Sequence, residues 1–179
     1  ALLLWMGMSA VSCALAAQNT YVFPYEGLRY TQQEGETVLT QTNLAEHADL
    51  IASLGTTADA ILSSYMAAGI VMEVIPQDGG QIAVSVADAG AFAGAGDMAA
   101  LSEEELAAFL AQYEDSGLYE NVSLTDTEPR CVRMTSSAMY GSMPVYTVRY
   151  ATLYLSRLCV LTQTVVGRAP EEADDAQLE

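Results

Sequence analysis

The side chains able to do chemistry in this chain are a single histidine, His47, three cysteines and 23 carboxylates. His47 lies one helical turn after Leu44 and one before Ile51, inside the apolar arc of a predicted helix. As a general base it would need a nucleophile and an orienting acid brought beside it. Serines are plentiful, but none sits in a nucleophile-elbow pattern, so His47 reads as a partly buried residue that packs and makes one hydrogen bond. One histidine also makes a histidine-rich metal site impossible. A calcium loop needs alternating oxygen ligands through twelve residues, and neither Asp78-Gly79-Gly80 nor the stretch from Asp88 to Asp97 supplies that spacing. Gly90, Gly94 and Gly96 precede a helix as a phosphate cradle would. A Walker-type loop places lysine and a hydroxyl residue there, whereas Asp97, Glu103, Glu104 and Glu105 would repel phosphate. Asn121-Val122-Ser123 has the form of a glycosylation sequon, which matters only in a eukaryotic secretory host. No catalytic, cofactor-binding or metal residue is expected.

The most unusual stretch is Thr135 to Pro144, which reads as a polar, thioether-bearing hairpin loop that includes Met139, Tyr140 and Met143 and leads into Tyr146, Tyr150 and Tyr154. Even spacing puts the last three tyrosines on one face of a strand. One reading is a half-buried ladder at the edge of the core, which suits tyrosine. The other is a contact surface, because aromatic and methionine side chains make good anchors for a partner. All six residues are therefore candidates for a partner surface.

Six basic residues, all arginine, stand against 23 acidic ones, for a net charge of −17. Phosphate-backbone binding needs a positive surface, so no nucleic-acid partner is expected, and anionic lipid is an equally poor one. The acidity serves solubility through mutual repulsion, or attracts cations or a basic partner.

Residues 1–17 read as an export signal. Leu2, Leu3, Leu4, Trp5, Met6, Met8, Val11 and Leu15 form an uncharged apolar run that ends in Ala14-Leu15-Ala16, a peptidase-type site. A spanning helix needs about 20 apolar residues, and Gln18-Asn19-Thr20 arrives too early. No basic segment or initiator Met precedes the run, so a fragment or an upstream-trimmed chain is expected. Ala10-Val11-Ser12-Cys13 offers a second processing route, resembling a lipobox in which Cys13 is lipidated and anchors the domain to the outer face of a membrane. Contact with a membrane is expected only through such a signal or lipid anchor.

About 160 residues follow, enough for one domain that buries roughly 70% of its unfolded surface. It is expected over 20–168, with an acidic disordered tail at 169–179. Tyr21 to Phe23 and Leu28 to Thr31 read as strands around a Pro24-Gly27 turn, with Thr37 to Thr40 extending the second. Asn43 and Glu46 suggest a capping box for a helix that buries Leu44, Ala48, Ile51 and Leu54 and ends at Gly55. Thr56 and Asp59 open a second helix, with Ala58, Ile61, Leu62 and Tyr65 buried and Gly69 closing it. Ile70 to Ile75 and Ile82 to Val86 form a hairpin, and a glycine- and alanine-rich loop spans Ala87 to Ala100. Ser102 and Glu105 cap a third helix with Leu106, Phe109, Leu110 and Tyr113 inward.

Four strands close the domain: Tyr119 to Leu124, Arg130 to Ser137, Val145 to Leu155 and Arg157 to Val166. In an antiparallel meander Cys131 and Cys159 flank a common neighbour. Their Cα atoms are then about 9.6 Å apart, two strand spacings, beyond the roughly 4.4–6.8 Å of a disulfide. Free thiols are expected even in an oxidising compartment.

Helices grouped between hairpin-linked strands favour an α+β fold, an antiparallel sheet flanked by helices as an α/β/α-type sandwich. The opening Phe23-Pro24-Tyr25-Glu26-Gly27-Leu28-Arg29-Tyr30, the helix soon after it and the tyrosine-rich terminal meander resemble the PsbP/DcrB-type exported domains. Residues 20–168 follow that order of elements. The resemblance implies a PsbP-like fold and carries no ligand residue across, since no ligand motif matches. The expected function is a non-enzymatic, extracytoplasmic binding or accessory domain. Its rivals are a secreted carboxylate-dependent hydrolase and a structural envelope lipoprotein.

Overall fold

The computed structural model describes residues 19–77, 80–126 and 129–167. The export segment with Cys13, the Asp78-Gly79 turn and the acidic tail lie outside the described residues. Strands β1 (Thr20–Phe23) and β2 (Leu28–Thr31) form an antiparallel pair of their own. Seven further strands make one antiparallel sheet: β3 (Thr37–Thr40), β4 (Ile70–Ile75), β5 (Gln81–Asp88), β6 (Asn121–Leu124), β7 (Val132–Tyr140), β8 (Met143–Tyr154) and β9 (Arg157–Val166). Their spatial order is β3-β4-β5-β9-β8-β7-β6. The α+β class is thus present. Thr37–Thr40 does not extend β2, as the sequence suggested. It pairs with β4, Val38 opposite Val74, and its Val38 and Leu39 are both buried, one on each face.

Three helices, α1 (Ala48–Ser53), α2 (Ala58–Ala68) and α3 (Glu103–Glu114), cover one face. The register places Leu39, Glu73, Ala83, Thr162, Arg149 and Met134 on that face, since residues paired across strands share a side. There Leu39 joins Leu44, Ile51 and Tyr65 beneath α1 and α2, while Met134, Val132, Ala151 and Leu153 join Phe109 beneath α3. On the opposite face Val38, Met72, Val74, Ile82 and Val84 are covered by Tyr21, Phe23, Leu28 and Tyr30 of the β1–β2 hairpin. The layers are therefore helix, sheet and hairpin. Helices on both faces, as expected of an α/β/α-type sandwich, are not what the register and clusters give. The hairpin supplies the second apolar cover instead.

Local differences have local causes. The expected Asn43 capping box does not form, because the Asn43 side chain accepts from the Thr40 backbone N–H and donates to the Val38 carbonyl. A 3-10 turn (Leu44–His47) then leads into α1, which leaves Ala48 and Leu54 exposed. The α2 cap is Thr57, one residue later than Thr56, with its hydroxyl accepting from the Ala60 N–H. The Ser102–Glu105 capping box of α3 is complete. The glycine- and alanine-rich loop folds into two 3-10 turns, Gly90–Ala95 and Met98–Ala100, that set Ala89 and Met98 into the core under α3. The Thr135–Pro144 hairpin loop is instead strand except at its tip: β7 and β8 run on to a two-residue Gly141-Ser142 turn, with Tyr140 opposite Met143. Leu155 and Ser156, both at positive φ, close the β8–β9 hairpin, and the Ser156 N–H is held by the Gly96 carbonyl.

Gln163 is 6% exposed on the hairpin-covered face, opposite Ile82 and Val148, and its side-chain carbonyl has no hydrogen-bond partner among the described residues. An unsatisfied buried polar atom costs about 1–3 kcal/mol. Gln163→Leu is accordingly expected to leave urea-unfolding stability unchanged or raise it by up to that amount. A loss above ~1 kcal/mol would instead show that the amide is satisfied in solution.

Candidate functional site

The hairpin covers only part of its face of the sheet. Beyond its Phe23–Leu28 turn, strands β9, β8 and β7 form the floor of a cavity of about 560 Å³. This falls within the roughly 300–1,000 Å³ of small-molecule sites. Glu26, Gly27 and Leu28 form one wall, Val84 and Leu161 the end beneath the hairpin, and Thr125, Pro129 and Cys131 the opposite wall. Tyr150, Thr152 and Tyr154, alternate residues of β8, line its middle, and Cys159 lies across from Thr152 on β9.

Close approach of the hairpin to β8 depends on Gly27. Its φ is +66°, and a Cβ there would sit 2.1 Å from the Tyr154 ring. The ring lies against bare backbone and closes the cavity at that side. Arg157 reaches Glu26 at 3.5 Å beside it, with the Glu26 side chain largely buried and Arg157 half exposed.

The two thiols are free and lie on either side of β8. The meander order that separates them by a strand is the one read from the sequence. Cys131 Sγ donates to the Pro129 carbonyl at 3.2 Å. Burial pushes the Cys131 thiol up, partly offset by the Thr152 hydroxyl. Burial also raises Cys159, with the Arg157 charge working against it. Because the thiolate is the nucleophile, both should alkylate more slowly at pH 8 than in urea-unfolded protein. Their rates should keep climbing above the usual thiol range near pH 8.5. Mass-spectrometric pH–rate profiles with iodoacetamide check this, and a plateau below pH 8 at either cysteine would contradict it.

The six candidate surface residues divide. Tyr150 and Tyr154 line the cavity, and the Tyr150 hydroxyl accepts from Arg133 Nε at 3.3 Å. Tyr146 shares their face, half-buried. Met139, Tyr140 and Met143 are 66%, 76% and 49% exposed at the far tip of the β7–β8 hairpin. Tyr140 and Met143 pair with each other and project on the helix side, opposite to Tyr146, so the six do not form one patch. The thiols, Glu26 and Gly27 are site residues that sequence reasoning did not select. Their signal in the sequence is the placement of Cys131 and Cys159 on either side of β8, which makes the thiols neighbours without disclosing the cavity between them.

His47 is half-buried at the start of α1 and makes no hydrogen bond or salt bridge to a carboxylate among the described residues. The strongly bonded acids lie elsewhere: Glu36 accepts from the Tyr30 hydroxyl at 2.5 Å and Glu73 from Tyr65 at 2.7 Å. Burial, then the adjacent carboxylate, raises both phenols far above their usual range. These pairs are structural ties between the hairpin or α2 and neighbouring segments. Among the described residues no group of three or more His, Cys, Asp or Glu side chains could hold a metal ion.

Compared with known proteins, the chain matches no family model and no curated protein. Among the described residues no helix is long and apolar enough to cross a membrane.

Proposed function

We propose that the chain is an exported, non-enzymatic binding domain whose site is the cavity between the β1–β2 hairpin and strands β7–β9. The supporting observation is a concave space of ligand size with a mainly apolar lining and a few convergent polar groups. The hydrolase reading has less behind it, since among the described residues His47 shares no hydrogen bond or ion pair with a carboxylate. The order of strand pair, helices, hairpin, helix and tyrosine-bearing meander favours a PsbP/DcrB-type relationship as the finer fold assignment. The leader favours delivery outside the cytoplasm, by cleavage after Ala16 or by lipidation at Cys13. Mass spectrometry of the mature N-terminus separates the two, because an unmodified Ala17 or Gln18 start removes the anchor. The exposed Met139, Tyr140 and Met143 favour a second role for the β7–β8 tip as a protein contact.

The binding reading is tested with the neutral fluorophore N-phenyl-1-naphthylamine. It should bind saturably at one site, slow iodoacetamide modification of Cys131 and Cys159, and be excluded by Cys159→Phe, which fills the cavity. Far-UV circular dichroism of that variant checks its fold. Failure of the probe and of other apolar molecules to protect either thiol would end the reading.

A further inference from the structure

Apart from Glu26, the polar side chains that line the cavity are neutral hydroxyls and thiols. The Thr152 hydroxyl donates to the Arg130 carbonyl at 2.9 Å, and the Cys131 thiol to the Pro129 carbonyl. The Thr125 hydroxyl oxygen accepts from the Cys131 N–H at 2.9 Å, which leaves its own O–H able to donate, and the Tyr150 oxygen accepts from Arg133. The polar side chains at the wall thus bind the wall to itself, and what faces inward is mostly apolar surface.

One lining residue carries a formal charge among the described residues, Glu26, and Arg157 meets it at 3.5 Å. A charged ligand would lose hydration on entry, and each half of this pair already has its counter-charge. We infer that the cavity selects uncharged, largely apolar ligands, and that the Glu26–Arg157 pair is the specificity device that excludes both anions and cations. This rests on the reading of the cavity as a binding site. Removing either partner leaves the other charge uncompensated at the cavity wall and should invite the opposite ion. Glu26→Gln exposes Arg157 to an anionic ligand, and Arg157→Gln exposes Glu26 to a cationic one.

The experiment uses the full chain and three ligands with one tail, 1-decanol, decanoate and decylammonium, at pH 7 and below micellar concentrations. Protection of Cys131 and Cys159 from iodoacetamide, read by peptide mass spectrometry, reports occupancy of the cavity itself rather than adsorption to an acidic surface. For the wild type, decanol is expected to bind about tenfold more tightly than either ion, a difference of ~1.4 kcal/mol. Glu26→Gln should bring decanoate level with decanol and leave decylammonium weak. Arg157→Gln should do the reverse, and the double variant should restore the preference for decanol. The wild-type ranking tests the inference even where a variant folds poorly. A wild-type preference for either ion, or an ion preference that neither variant changes, would overturn it. Protection by none of the three would overturn the binding reading itself.

Discussion

Phe109→Ala should remove about 3–5 kcal/mol of unfolding free energy, a large share of the roughly 5–15 kcal/mol available to a domain. Phe109 is 2% exposed at the centre of the buried stripe of α3. Its ring meets Phe92 edge-on at 5.2 Å and Tyr113 at 5.5 Å. It joins the 3-10 turns of the glycine- and alanine-rich segment to Val132, Met134, Ala151 and Leu153 of the sheet. Truncation would leave a cavity where three elements meet, and the aromatic contacts add about 0.5–1.5 kcal/mol each beyond area burial. Urea unfolding followed by circular dichroism measures the loss. A change under ~1 kcal/mol would mean that the segment collapses onto α3 without the ring. The thiol-lined cavity is on the other side of the sheet, so Phe109→Ala should weaken the domain without changing which ligand it prefers.

Gly69→Ala is expected to cost about 2–4 kcal/mol, combining left-handed backbone strain with a forced shift of a neighbouring chain. Gly69 closes α2 at φ +67°, with its N–H bonded to the Tyr65 carbonyl. A Cβ would sit 2.3 Å from the Val86 carbonyl oxygen, backbone that cannot swing aside. The same Val86 donates its N–H to the Gly69 carbonyl at 2.9 Å. Relief of the clash would therefore break a hydrogen bond between the start of β4 and β5. Gly55→Ala is the control. Its φ is +77°, but nothing lies within 4 Å of the added carbon, so only the strain of about 1–2 kcal/mol remains. Similar losses at the two positions in parallel urea titrations would show that close approach to Val86 contributes nothing.

Alkaline pH should unfold the protein through its phenols. Burial raises Tyr113 to about 12, with Tyr119 adding to the shift, and Tyr30 and Tyr65 are raised further in the folded state. Each contributes stability in full below the unfolded value near pH 10, lost as pH rises from there through its folded value. Phenolate absorbance should therefore lag a free-tyrosine titration and rise together with loss of circular dichroism. Ordinary titration of all ten tyrosines near pH 10 in folded protein would contradict it.

Elements governed by neighbouring residues were legible in the sequence. The Ser102–Glu105 capping box, the glycine ends of α1 and α2, the β4–β5 hairpin and the β7–β8–β9 meander all follow from capping chemistry and alternation within a few residues. Elements decided by competition between distant partners were not. Asn43 had a cap available three residues on, but Thr40 and Val38 took its side chain. Thr37–Thr40 follows β2 in the chain, yet it pairs with β4, Val38 opposite Val74. The Gly141-Ser142 turn carries a glycine at its first position, and the polar residues around it concealed strands that continue as a hairpin beyond the core.

The sequence alone determined that the acids, single histidine and isolated glycine loop contain no recognisable catalytic motif, because such motifs are patterns of residue type at fixed local spacing. It also determined the α+β class and the strand order that keeps Cys131 and Cys159 apart. Only the tertiary structure decided that both thiols, two tyrosines of the predicted ladder and Glu26 surround one cavity. That cavity exists because a hairpin too small to cover its face of the sheet leaves the strands beyond it open. The mismatch in area between two packed layers is not encoded at any one position, so no reading along the chain could have disclosed it.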